Sequence, residues 1–147
     1  MARAHPLARD SGIPGHLIVR VYGVQVAATP DPAGAVRVVY EAERSLQRLH
    51  VCEPCSMGYR VQAAIAGARA GNLELARTQL EVADRIAGMW QGGPWASAAW
   101  EARGQLRLAE GDHTKAAALL NEAADGFAWS GRPLDERRCR ALAATVA

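Results

Sequence analysis

Apolar residues along this chain fall at helical spacing, and one short pattern returns three times. Alanine, three residues, valine or leucine, two residues, alanine occurs at Ala35-Val39-Ala42, Ala76-Leu80-Ala83 and Ala116-Leu120-Ala123. The repeat distances are 41 and 40 residues. Positions i, i+4 and i+7 share one helical face, and small residues along it let a partner helix approach closely. Each stripe follows a turn signal: "ATPDPAG" at 28–34, "RAGNLE" at 69–74 and "AEGDHT" at 109–114. Gly71 and Gly111 accept the left-handed backbone that ends a helix, and Asn72 and Asp112 suit the cap of the next one. In the first unit Asp31 is the capping residue and Pro32 fits the first turn.

Alanine-rich segments at 15–28, 58–70 and 95–110 precede the three turns, so each unit reads as helix, tight turn, helix. The run "LIVRVYGVQV", 17–26, has the β-branched character of a strand when taken alone. Its Gly23 precedes Ala35 by the same twelve residues that separate Ala64 from Ala76 and Gly104 from Ala116, which places it in the helical frame. These small residues are expected where the first helix of a unit meets the second. The segment "GRPLDERRCRALAATVA", 131–147, opens with Gly131 and Pro133 and reads as a closing helix, with Leu134, Leu142 and Val146 turned inward. The expected architecture is all-α: a flexible segment over 1–14, then a helical-hairpin solenoid over 15–147. Its three pairs are expected at about 15–50, 56–91 and 95–130, with a cap at 132–147.

Composition narrows the function classes. Half of the 147 residues are apolar but only 5% are aromatic, which suits closely approaching helices. Net charge is +2, and the densest basic cluster, "DERRCR" at 135–140, carries two acids. That is a solvated helix face rather than a nucleic-acid footprint. No apolar run reaches the ~18–20 residues that span a bilayer, and no signal peptide is read at the start. Three cysteines, an odd count, point to a reducing cytoplasm.

The units resemble the tetratricopeptide-repeat family, whose repeats are antiparallel helix pairs. Trp100, Gly104, Gly111, Ala116, Leu120 and Ala123 carry the resemblance in unit three. Ala64, Gly71, Ala76, Leu80 and Ala83 carry it in unit two, and Gly23, Ala35, Val39 and Ala42 in unit one. The unit is longer than the family's ~34 residues, and the proline that closes the second helix is missing. More narrowly, the stretch from "CEPC" through "GRPLDERRCRALA" resembles the C-terminal repeat region of LuxR/MalT-type actinobacterial transcriptional regulators. No G-x-x-x-x-G-K-[ST] and no terminal helix-turn-helix accompanies it. The resemblance implies a regulatory or interaction module, free-standing or part of a larger regulator.

Three groups of residues are candidates for chemistry. His50, Cys52 and Cys55 in "HVCEPC" have the spacing of zinc ligands, with Cys139, His16 or a second copy of the chain to complete four. The same dithiol, just before a helix start that favours a thiolate, suits a redox pair. Packing of an inter-unit turn is the third reading. Trp90 and Trp95 flank "QGGP", 91–94, and either clamp that loop or line a ligand surface. Trp100, Phe127 and Trp129 are expected in the core. Glu101, Glu110 and Asp112-His113 form no convergent acid–base set, so no enzyme is expected. The expected function is protein or peptide binding, with a homodimer as a further possibility. The concave face of the first helices would supply Arg20, Arg60, Gln62, Arg69, Glu101 and Arg103 for a carboxylate-bearing peptide.

Overall fold

The computed structural model describes residues 3–90 and 92–146, and within them every regular element is helical. The helices are α1 (Ala4–Arg9), α2 (Pro14–Ala28), α3 (Pro32–Leu46), α4 (Met57–Arg69), α5 (Leu73–Gly88), α6 (Pro94–Ala109), α7 (His113–Trp129) and α8 (Pro133–Val146), with a short 3-10 turn at Pro54–Ser56 before α4. Met1, Ala2, Gln91 and Ala147 lie outside the described residues. So do the ends of the second unit, of the cap and of the N-terminal segment as read from the sequence.

The local chemistry that sets these boundaries repeats. Asp31 caps α3 by accepting from the Gly34 amide at 2.7 Å. Asn72 caps α5 by accepting from Leu75, and Asp112 caps α7 by accepting from Lys115. Gly71, Gly111 and Gly131 have φ of 72°, 82° and 68°. Each is followed by an amide that bonds five residues back: Asn72 to Gly67, Asp112 to Arg107, Arg132 to Phe127. One turn geometry therefore ends α4, α6 and α7. The run at 17–26 lies wholly within α2, because its apolar residues are buried at helical spacing and Pro14 opens the helix.

α2, α4 and α6 lie side by side, and α3, α5 and α7 each pack against the helix before them. α3 also touches α4, α5 touches α6, and α8 closes on α7. The three repeated stripes form the inner faces of α3, α5 and α7, and every one of their nine residues is buried. The recurring small residues do not all act as expected. Gly104 does face its own second helix, where an added Cβ would lie 2.8 Å from Leu120 Cγ. Gly23 instead meets the next first helix, 3.2 Å from the Tyr59 backbone. In unit two Gly67 makes a close approach to the Ala76 backbone, and Ala64 is buried in the same core cluster as Ala76.

Three further expectations are corrected. Residues 4–9, expected to be flexible, form α1: Ala8 is buried, the His5 ring packs on Tyr22 at 4.6 Å, and His5 Nε2 lies 2.9 Å from Gln25 Oε1. Trp129, expected in the core, is 83% exposed, while Phe127 is buried and Trp100 packs partly against it. On α8 the inward residues are Cys139 and Ala143. Leu134 is exposed, and Leu142 and Val146 are half-buried. The helix is turned so that its small residues meet α7 and Arg138 reaches α6, which leaves the leucine at its first turn outside.

Candidate functional site

A groove runs across the row of first helices. Its larger part has a volume of about 470 Å3 and lies between α2 and α4. Val24, Ala27 and Gly58 give it an apolar, shallow-walled floor, and Trp90 and Trp95 stand at its edge. Gly23 makes that floor possible, since α2 and α4 come into backbone contact there. Gly58 has nothing within 4 Å of an added Cβ, so the groove is open above it. His16 and Arg20 stand on α2 and Gln62 on α4. Arg20 is exposed, approaches His16 Nε2 at 3.5 Å, and has no carboxylate partner among the described residues.

A second part of about 200 Å3 continues from Gly58, Gln62 and Trp95 toward α6 and α8. It is charged. Glu101 is only 3% exposed and takes two hydrogen bonds of 2.7 Å from Arg138, which also donates to Asp135 at 2.6 Å. A buried carboxylate is tolerable only with such a partner. Burial works to raise the Asp135 carboxyl, but Arg138 and Arg132 outweigh it and hold it below the ordinary value. Burial, reinforced by the Glu101 charge, pushes the Cys139 thiol up to about 12.

Of the eight residues expected on a binding face, the groove gathers Arg20, Gln62, Trp90, Trp95 and Glu101, the last as an internal ion pair. The other three arginines are engaged elsewhere. Arg60 donates to Glu43 at 2.6 Å and to Gln79 at 2.8 Å, Arg103 pairs with Asp84 at 2.8 Å, and Arg69 donates to the Pro30 carbonyl. Glu43 Oε1 also accepts from the Tyr59 hydroxyl at 2.8 Å. Burial and that negative partner raise the phenol. This knot of α3, α4 and α5 has no sequence signature: Glu43 is one of two glutamates in "EAER", and its partners lie 16 to 36 residues away.

The alternative reading of His50, Cys52 and Cys55 as metal ligands finds no assembled set. Among the described residues no three His, Cys, Asp or Glu side chains are grouped to hold an ion. The His50 side chain is exposed, and its carbonyl packs against Gly15 so closely that a side chain there would collide. Cys52 and Cys55 are held together by a turn in which Cys55 N–H donates to Cys52 C=O at 3.0 Å. Arg85 fixes the same turn to α5 through Glu53 at 2.7 Å. The neighbouring Cys52 thiol, and then partial burial, raise the Cys55 thiol. That is opposite to the activation expected from a helix start. Compared with family models, curated proteins and solved structures, the chain matches none.

Proposed function

We propose that this chain is a non-catalytic module that binds an extended, largely apolar peptide carrying a carboxylate. One observation carries the reading: the row of first helices joins in one groove an apolar floor, two exposed tryptophans and an arginine without an acid partner among the described residues. The tryptophans and the floor would bury apolar side chains, Gln62 would bond the peptide backbone, and Arg20 would receive the carboxylate. Arg60 and Arg103, engaged in internal ion pairs, take no part.

The pairing of α2–α3, α4–α5 and α6–α7 supports a solenoid of tetratricopeptide-repeat type capped by α8. The corresponding role is the interaction or sensor part of a regulator resembling the LuxR/MalT type, working in the cytoplasm. The three unpaired cysteines agree with a reducing compartment. Self-association is a further expectation, since Leu7 and Ile13 near one end and Trp129 and Leu134 near the other are exposed.

Selection of a displayed peptide library on the protein, with a Gly58→Leu variant as counter-selection, tests this. The new side chain enters open space, so the fold stays and the groove fills. Enriched peptides should be apolar with an Asp, a Glu or a free C-terminus, and should be lost on the variant. Peptides retained equally by both proteins would place binding elsewhere.

A further inference from the structure

The dithiol at the groove wall is built for a reaction that the peptide reading does not use. An amide-to-carbonyl bond of 3.0 Å spans Cys55 and Cys52. A bend closed in this way keeps its end Cα atoms within about 7 Å. A disulfide spans about 4.4–6.8 Å between Cα atoms. The Cys52 thiol is the largest influence raising the Cys55 thiol, as befits neighbouring side chains on one turn. Cys52 is exposed, whereas Cys55 is partly buried and lines the groove that Trp90 and Trp95 border. With no third metal ligand grouped beside them among the described residues, the pair is free to react with itself.

We propose that Cys52 and Cys55 form a reversible internal disulfide that reshapes the α2–α4 end of the groove. The oxidant is a low-molecular-weight disulfide such as glutathione disulfide. The Cys52 thiolate attacks one of its sulfurs, forms a mixed disulfide and releases one glutathione thiolate. The Cys55 thiolate then attacks Cys52 sulfur, forms the internal bond and expels the second glutathione. Two electrons pass from the protein thiols to the oxidant, and their two protons end on the two glutathiones.

The surroundings fit this order. Cys52 is the accessible attacker. Its thiol is the largest influence keeping the proton on Cys55. The Arg20 charge favours the Cys55 thiolate for the second attack. Cys55 forms part of the groove wall, so bonding it to Cys52 moves that wall. The inference does not rest on a peptide occupying the groove.

The test is to treat the full chain with glutathione disulfide, count free thiols and weigh the protein intact. Wild type should keep one free thiol, the fully buried Cys139, and lose the mass of two hydrogens with no glutathione attached. Cys55→Ser should hold one glutathione on Cys52, and Arg20→Gln should keep its mixed disulfide several-fold longer than wild type. Tryptophan emission should change on oxidation and return with dithiothreitol, and Trp90→Phe/Trp95→Phe should lose most of that change. Three free thiols, or a wild type that stops at the mixed disulfide, would overturn the disulfide. An internal disulfide with unchanged emission would overturn its effect on the groove.

Discussion

The two parts of the groove share Gly58, Gln62 and Trp95 but differ in what their charges do. At the α6–α8 part, Glu101, Asp135, Arg132 and Arg138 bond to one another. At the α2–α4 part, the floor is apolar and Arg20 lacks an acid partner among the described residues. The richer charge lies at the part less able to bind a ligand, because its hydrogen bonds are already made. An arginine in a groove is an available donor only if the fold has not used it. By that standard Arg138 holds helices together and Arg20 is free to hold something else.

The largest effect that would break this comparison is on stability. Arg138→Ala leaves Glu101 buried without its cation and should cost about 3 kcal/mol in denaturant unfolding. The half-exposed position of Arg138 places this at the low end of the range for broken buried pairs. If Arg138→Ala unfolds like wild type, the charged part is not structural and becomes a binding candidate. Next comes Trp95→Ala, which should weaken a selected peptide by about 2 kcal/mol, roughly 30-fold, with little change in unfolding midpoint. Arg20→Gln should cost that peptide about 1 kcal/mol, roughly fivefold, and remove part of its salt dependence. Titration calorimetry at two ionic strengths would read both.

The smallest effect concerns acid. Asp135 is held below its ordinary value when folded, so its contribution is present above the unfolded value of about 3.9 and is lost as pH falls through the folded value. Asp135→Asn should cost about 0.5 kcal/mol at neutral pH and flatten the loss of stability below about pH 4. Melting curves from pH 7 to pH 3 would show an unflattened slope if Arg138 and Arg132 were not holding that carboxylate.

What the sequence made legible follows the range of the interactions involved. The three stripes and the Gly-Asn and Gly-Asp turns are set by neighbours within one or two helical turns, and their positions were readable. α1 was not, because six residues with a proline inside carry no amphipathic pattern, and what orders them is Tyr22 and Gln25 on α2. Trp90 and Trp95 stood out by composition and border the groove. Glu101 and Arg138 are 37 residues apart, so no local pattern could say that one was buried and the other spoken for. Trp129 failed for a related reason: a C-terminal tryptophan at the end of α7 reads as core until α8 is placed on the face beside it.

The turns at Gly71 and Gly111 have the same backbone hand and the same five-residue back bond. The chain between them, α5 followed by α6, is therefore a cassette with matching joints, about 40 residues long. Splicing a second copy of residues 72–111 after Gly111 asks no joint to adopt a geometry it does not already hold. The lengthened protein would gain one more helix in the row that floors the groove, and with it a longer footprint for whatever lies there. Length of reach, in such a chain, is a matter of copy number rather than of redesign.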